Sequence, residues 1–596
     1  MADGESGLRE ANFVFASALL EGLVSGGVDT MCLCPGSRST PLVAAAARLP
    51  GLRIRSHLDE RSAAFFALGV ARASRRPVAI VCTSGTAAAN FLPAVVEANH
   101  ARVPLLVLSA DRPAELRDCG AGQTIDQVRL YGSNVRAFFE APTPSPGLEL
   151  ERLARSLASR AVRAALGRAW GPVHLNLPFR EPLEPPLESA SLPQRPSSRA
   201  IEAVIAPTRH AEGASAEAVD RMARRFSDAE RGVIVAGPID RDPELAASVG
   251  RLARSLGWPI LAEPISQLRA GEALGDAVVT AHHDAFLRDA AFAATKRPDL
   301  ALRIGDTPTG KPLRRWLEAD PETEIWLIDP DGVGHDPSRR ASAILSLEPA
   351  PLCAAVASKI EAIGPRAPSA LARALGRADS IAARVIESRL DASETLLTPA
   401  AVREVAASLP DAASVFLSNS MPVRDADTFW PVRPRSLRFF ANRGANGIDG
   451  IVSTALGVAS AGTAPLVLVS GDLAFLHDVG GLFAARDFEG SCTIVVLNDD
   501  GGGIFSFLPI AEHGESVRFR ELFRLEHGID LAPAAALYGL GFERARTRAE
   551  LHAALGKSIG ARGVRIIEVP IDPAENLEQH RELWRAVSAA LRAEMP

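Results

Sequence analysis

The sequence predicts an α/β protein made of three consecutive doubly wound parallel-sheet domains. Two observations predict it. Short apolar runs rich in β-branched residues alternate with amphipathic helical stretches from end to end, the signature of βα units and a parallel sheet. In addition, 596 residues exceed what a single hydrophobic core serves, so several domains are expected.

In chain order, the first set of strands is expected at Thr30–Cys34, Arg53–His57, Val78–Thr83, Leu105–Ser109 and Val173–Leu177. Four of these run into turn chemistry, such as Pro35-Gly36-Ser37-Arg38-Ser39 and Ser84-Gly85-Thr86. The Pro- and Ser-rich stretch Glu181–Arg199 reads as a linker. A second α/β unit follows, with strands at Gly232–Ala236, Pro259–Ala262, Leu300–Ile304 and Ile325–Ile328. The stretch Cys353–Thr395 reads as helical or linking. The last unit has strands at Val415–Ser418, Arg438–Phe440, Leu466–Val469, Cys492–Leu497 and Arg565–Val569. The expected domains are 1–185, 200–355 and 395–596.

Composition narrows the class. Hydrophobic residues make up 47% and charged residues 23% of the chain, the balance of an ordinary globular protein. A net charge of −6 gives no reason to expect nucleic acid or an anionic membrane as partner. No apolar run reaches the length of a bilayer span, and MADGESGLRE has no basic n-region and no apolar h-region. The six cysteines sit mostly in apolar strand-like runs and read as buried free thiols, so a cytoplasmic location is expected. Lone histidines (His57, His174, His477) read as satisfied structural groups.

The chemistry concentrates in Leu466–Pro509. Two apolar runs joined by a helical segment end in Ser470-Gly471-Asp472 and in Asn498-Asp499-Asp500-Gly501. In an open parallel sheet, ligands sit at such carboxyl ends. Asp472 and Asp499 offer hard oxygens to a Mg²⁺-like ion, and Ser470, Gly471 and Gly501 let backbone approach a diphosphate. In the first domain, Glu60 stands just past a strand at the start of a helix, ahead of small apolar residues. A carboxyl so placed can exchange a proton near neutral pH.

The Leu466–Pro509 stretch resembles the diphosphate-binding motif of thiamin diphosphate enzymes, Gly-Asp-Gly followed by Asn-Asn. It departs from that motif at Leu473, in place of the last Gly, and at Asp499, in place of the second Asn. Three further segments narrow the family: Cys34–Leu42, Ser109–Gln123, and Ser418–Arg424 with Asn442–Gly450. Together they resemble the 2-succinyl-5-enolpyruvyl-6-hydroxy-3-cyclohexene-1-carboxylate synthases of menaquinone biosynthesis over essentially the whole chain, most weakly in the middle domain. The resemblance implies the three-domain fold of thiamin diphosphate enzymes, thiamin diphosphate with Mg²⁺ or Mn²⁺ as cofactors, and 2-oxoglutarate and isochorismate as substrates. Since Glu60 and Asp472 lie on different domains and this superfamily shares sites between subunits, it also implies a homodimer or homotetramer.

Site residues follow from the same resemblance. Glu60 would bond N1′ of the aminopyrimidine, and Asp472, Asp499 and the Gly501 carbonyl would hold the metal. Ile448 would bend the cofactor, while Gly471, Ser420, Met421 and Ile504 would line it. Ser37 and Gln123 would act in catalysis with Glu60 by hydrogen-bonding substrate or intermediate, and Ser420 and Phe505 would line the substrate site. Both substrates are dicarboxylates, which planar bidentate cations suit; Arg38, Arg112, Arg424 and Arg443 fall in turn-like segments, mostly after strands. Lys311, in Gly305-Asp306-Thr307-Pro308-Thr309-Gly310-Lys311-Pro312, is a further candidate. That stretch lacks the Ser or Thr that a P-loop needs after its lysine, and Pro312 stands where some family members have a second basic residue. Two other readings remain open at this point: a different thiamin diphosphate carboligase or decarboxylase of the acetohydroxyacid synthase kind, and a non-catalytic cofactor-binding scaffold.

Overall fold

The computed structural model describes residues 2–147, 149–186, 214–240, 242–364, 366–433 and 435–595. Most of the expected linker, and the expected start of the second unit at Ile201, lie outside these residues. The first sheet contains β1 Thr30–Leu33, β2 Arg53–Ser56, β3 Val78–Cys82, β4 Leu105–Asp111, β5 Ala137–Glu140 and β6 Val173–Pro178. The middle sheet contains β7 Gly232–Ala236, β8 Ile260–Ala262, β9 Val279–Thr280, β10 Leu300–Ile304, β11 Glu324–Ile328 and β12 Ala341–Leu345. The last contains β13 Ser414–Leu417, β14 Arg438–Phe440, β15 Leu466–Gly471, β16 Ser491–Asn498, β17 Gly541–Arg544 and β18 Gly563–Pro570.

Every strand expected from the sequence forms, with ends shifted by a residue or two. The four that were not expected, β5, β9, β12 and β17, all lie at a sheet edge. The ladder pairings are parallel throughout, as in β1 with β3 and β15 with β16. The first sheet has the order β2-β1-β3-β4-β6-β5 and the last β14-β13-β15-β16-β18-β17, which is the same order counted within each sheet. Each reverses direction between its first and third strands, at β1/β3 and at β13/β15. The middle sheet runs β12-β11-β10-β7-β8-β9, a different winding that reverses between β7 and β10.

The described residues form two compact units. One holds the described residues up to 186 together with Asn442–Thr463 and His477–Glu489, and the other holds the remaining described residues. In the first, strands β1, β3, β4 and β6 contribute Met31, Val81, Leu108 and Leu175 to a core shared with the helices Ala2–Ser25 and Leu150–Ala165. The helices Glu60–Ser74 and Ile451–Ser460 cross through glycines. A Cβ on Gly69 would stand 2.1 Å from the Thr454 carbonyl, and one on Gly457 2.0 Å from that of Phe66. Only Gly permits this backbone contact, which ties 451–460 to the first unit.

In the second unit the middle and last sheets share one core, in which Val233, Leu261, Val467, Val495 and Ile567 all take part. The stretch expected to be helical or linking forms the helices Pro349–Glu361 and Ala370–Asp391. In the latter, Leu371, Leu375, Ala378, Ile381, Ala382, Ile386 and Leu390 recur at helical spacing and are buried. The Ser369 side chain caps its start by accepting from the Ala372 N–H at 3.0 Å. Among the described residues no helix is long and apolar enough to cross a membrane. All six cysteines are free. Cys119 departs from the expected burial: it lies in the exposed turn after β4, where no strand covers it.

Candidate active site

In the first unit, strands β1, β3, β4 and β6 are neighbours, and their carboxyl ends carry most of the polar groups expected there. Arg38, just past β1, is buried; it donates from Nη1 to the Phe179 carbonyl at 2.9 Å and from Nη2 to Glu181 Oε1 at 2.7 Å, both beyond β6. Arg112, just past β4, donates to the Ser84 hydroxyl and, at 2.8 Å, to the Gln123 carbonyl. Gln123 returns a bond from Nε2 to the Ser84 carbonyl at 3.1 Å. Burial, and then the nearby Arg38 charge, lower the Arg112 pKa, while Asp111 and Glu181 act the other way. The strand ends are braced from below by Gln127, which accepts from the Gly85 N–H at 2.9 Å and donates to Asn176 Oδ1 at 3.0 Å. Ser37 is exposed beside this cluster.

Glu60 is the first residue of its helix, which Asp59 caps by accepting from the Ser62 N–H at 3.0 Å. Burial, and then the Glu60 charge, push the thiols of Cys34 and Cys82 well above their ordinary pKa. Glu60 follows β2, which pairs in parallel with β1. The loop with Arg443 and Ile448 is anchored by Glu97, whose two oxygens accept from the N–H groups of Gly444 (2.8 Å) and Ala445 (2.6 Å). Beside it lies a cavity of about 290 Å³ lined by Phe65, Val96, Asn442, Gly447 and Asp449. The histidines depart from the expected satisfaction. His174 meets the Ser109 hydroxyl at 2.7 Å, but its buried Nδ1 and the buried Nε2 of His57 make no hydrogen bond, and His477 is exposed. Burial lowers His174 to about 3 and His57 to about 4.

In the second unit, β13, β15 and β16 are adjacent at the switch point. Asp472, at the end of β15, is 2% exposed. Its Oδ1 accepts from the Leu473 N–H at 2.7 Å, and its Oδ2 accepts from the Gly501 N–H at 2.7 Å, joining the ends of β15 and β16. Burial raises the Asp472 pKa. Asp499 rises to about 7, because it is buried and faces the charge of Asp472. Gly501 has φ 136°, and a Cβ there would meet the Arg524 carbonyl at 2.2 Å, so no other residue fits. Around Gly471, by contrast, no atom lies within 4 Å of where a Cβ would stand.

Ser420, at the start of the helix Met421–Phe429, holds a φ of 71°, a conformation that costs energy in a non-glycine residue. Its carbonyl accepts from the exposed Arg424. Met421, Ile504 and Phe505 are half-buried, with the Phe505 ring 5.8 Å from that of Phe523. Lys311 opens the helix Lys311–Glu318 and is exposed.

Sequence reasoning missed three residues. His527 accepts from the Ile529 N–H on Nδ1 at 3.0 Å, so its proton lies on Nε2, which donates to Asp472 Oδ2 at 3.1 Å. Arg524 donates to the Asp499 carbonyl and holds Nη1 3.7 Å from Asp499 Oδ2. Glu181 pairs with Arg38. His527 and Arg524 come from an irregular segment with no motif of its own, and Glu181 lay in a stretch read as linker.

The donor set of the second unit fits a divalent cation with a diphosphate. Two buried carboxylates repel one another until one takes up a proton, a conflict that a hard cation would remove, and Gly471 leaves room beside them. Among the described residues no group of three or more His, Cys, Asp or Glu could hold a metal, so the backbone would have to supply further donors.

Comparison with known proteins agrees with this geometry. Residues 14–130 match the family described as "Thiamine pyrophosphate enzyme, N-terminal TPP binding domain". Residues 207–417 match "Middle domain of thiamine pyrophosphate", and residues 423–569 match "Thiamine pyrophosphate enzyme, C-terminal TPP binding domain". The 2-succinyl-5-enolpyruvyl-6-hydroxy-3-cyclohexene-1-carboxylate synthase of Geobacillus kaustophilus is 45% identical over 98% of this chain and 99% of its own length. The enzyme of that name from Chloroflexus aurantiacus is 44% identical over 98% and 97%, and that from Haloarcula marismortui 42% over 97% and 98%. With carboxylates and glycines at the strand ends that such cofactors use, and relatives matched from end to end, the chain belongs to the thiamine pyrophosphate enzymes and, within them, to the 2-succinyl-5-enolpyruvyl-6-hydroxy-3-cyclohexene-1-carboxylate synthase family.

Proposed function

We propose that this chain decarboxylates 2-oxoglutarate and joins the succinyl-semialdehyde unit to isochorismate by 1,4-addition, yielding 2-succinyl-5-enolpyruvyl-6-hydroxy-3-cyclohexene-1-carboxylate for menaquinone biosynthesis. The observation that carries the reading is the 45% identity over 98% of the chain to a synthase of that name. The buried Asp472 and Asp499 support it further. Bound thiamin diphosphate supplies a thiazolium that accepts the electron pair released as carbon dioxide leaves.

Every other task falls to this chain's own residues. Asp472, Asp499 and the Gly501 carbonyl would hold Mg²⁺ or Mn²⁺, and Gly471 would give the diphosphate backbone access. Glu60 keeps a proton in exchange with N1′ of the aminopyrimidine. Ile448, Ser420, Met421 and Ile504 would line the cofactor. Arg38, Arg112, Lys311, Arg424 and Arg443 receive substrate carboxylates. Ser37 and Gln123 orient substrate by hydrogen bonds, and Phe505 packs on it. We further propose a homodimer or homotetramer working in the cytoplasm.

Glu60→Gln tests the assignment. The variant is expected to keep its far-ultraviolet circular dichroism and thermal midpoint while losing carboligation. Full activity in a folded Glu60→Gln protein would sink it.

A further inference from the structure

Arg38, proposed above to receive a substrate carboxylate, already has a carboxylate partner within the chain. Its side chain is 6% exposed, whereas that of its ion-pair partner Glu181 is 72% exposed. The guanidinium is buried behind a carboxylate that itself stands in water. Nη1 donates to the Phe179 carbonyl at 2.9 Å and Nη2 to Glu181 Oε1 at 2.7 Å, while the buried Nε makes no hydrogen bond. Glu181 also acts electrostatically on Arg112, the neighbouring guanidinium. Glu181 comes from the chain just past β6, whose neighbour β4 leads into Arg112. It therefore stands past the same carboxyl end of the sheet as Arg38 and Arg112, both proposed to bind substrate.

We propose that Glu181 is a built-in competitor for the dicarboxylate substrate: its carboxylate occupies the position on Arg38 that a substrate carboxylate takes, and it swings into solvent when substrate enters. The inference rests on the proposed dicarboxylate chemistry and adds a residue that sets its affinity. Two features carry it. Glu181 already stands largely in water and regains its hydration on leaving, while the incoming substrate carboxylate takes its place on the buried guanidinium, so that charge is not stranded. Arg38 meanwhile stays fixed by the Phe179 carbonyl, so its guanidinium does not move when Glu181 departs. A dicarboxylate that reaches both Arg38 and Arg112 displaces a side chain hydrogen-bonded to one of them. A monocarboxylate has no such advantage.

Glu181→Gln keeps the shape and removes the charge, and Glu181→Asp withdraws the carboxylate by one methylene. The probe is succinate, an unreactive dicarboxylate, titrated calorimetrically into the full chain loaded with thiamin diphosphate and Mg²⁺. The expected result is a succinate Kd about threefold to fivefold lower in Glu181→Gln, a smaller drop in Glu181→Asp, and a matching fall in KM for 2-oxoglutarate or isochorismate. An unchanged Kd overturns the proposal. So does a higher one, which would mean that Glu181 only braces Arg38. If the wild type binds succinate but turns over neither substrate, the functional reading fails, and the titration still decides the role of Glu181.

Discussion

Replacing Arg269 by methionine tests what holds the helix Met421–Phe429, and with it Met421 and Arg424, in place. Arg269 is wholly buried. Its Nε donates to the Ala262 carbonyl at 2.8 Å, at the end of β8. Nη1 reaches the carbonyls of Ala426 (3.0 Å), Asp427 (2.8 Å) and Trp430 (3.2 Å), and Nη2 reaches Asp427 Oδ1 at 3.0 Å. The last carbonyls of a helix lack partners within it, so one side chain caps this helix and fastens it to the middle sheet. Burial lowers the arginine's pKa and raises that of Asp427 to about 7, in spite of their pairing. Desolvation thus offsets most of what the pair gains by attraction.

Losing one partner is a different matter. Asp427 would lose its arginine partner, keeping only His283 Nε2 at 3.6 Å, and the carbonyls of Asp427 and Trp430 would lose the donor that Arg269 supplies, while that of Ala426 keeps the Trp430 N–H at 3.1 Å. Breaking a buried pair costs about 3–5 kcal/mol, and protonation of Asp427 near neutral pH places Arg269→Met at the lower end of that range. The double variant Arg269→Met/Asp427→Leu is expected to recover about 1–2 kcal/mol, since an apolar pair avoids the stranded charge. The assay is the midpoint of urea unfolding for the wild type, the single variants and the double variant. A loss below about 1 kcal/mol in Arg269→Met, or a double variant as costly as the two singles together, would refute the reasoning.

Two further predictions concern buried carboxylates. Asp478 is wholly buried, accepts from the Ser453 N–H at 2.7 Å, and is raised from 3.8 to about 6 by burial. Between those values the folded chain keeps a proton that the unfolded chain releases, so stability declines as pH rises from about 4 to about 6 and levels off above. Against Asp478→Asn, which cannot titrate, the wild type is expected to lose about 3 kcal/mol across that window by urea midpoint, and a change of opposite sign would contradict it. At the proposed metal site, Asp499→Asn removes one negative charge and is expected to raise the Mg²⁺ needed for half-activation about tenfold. Because Asp499 holds a proton up to about pH 7, half-activation of the wild type should need less Mg²⁺ as pH rises from 6 to 8, while the variant stays flat. A wild-type curve independent of pH would remove Asp499 from the ligand set.

How much of this was legible in the sequence depended on burial. Val78–Cys82 and Leu466–Gly471 lie inside their sheets, covered on both faces, and so read as unbroken apolar runs. Ala341–Leu345 and Gly541–Arg544 are half-exposed edge strands, where the apolar run that marks a strand is diluted. The strand-end placement of Asp472, Asp499 and Gly501 was legible because each lies within three residues of the end of such a strand. His527 and Arg524 were not, since only folding brings them to Asp472 and Asp499. Arginines were the least legible group. Nothing in the local sequence separates Arg269, a buried structural clamp, from Arg424, which is exposed at the start of its helix, or signals that Arg38 already has a carboxylate partner.

The central claim is tested most directly by incubating the chain with thiamin diphosphate, Mg²⁺, carbon-13-labelled 2-oxoglutarate and isochorismate, and measuring labelled product by mass against carbon dioxide released. The account predicts one labelled 2-succinyl-5-enolpyruvyl-6-hydroxy-3-cyclohexene-1-carboxylate per carbon dioxide, with no product when either substrate is omitted. Carboligation of pyruvate in place of 2-oxoglutarate, or cofactor binding without turnover of any 2-oxo acid, would contradict it.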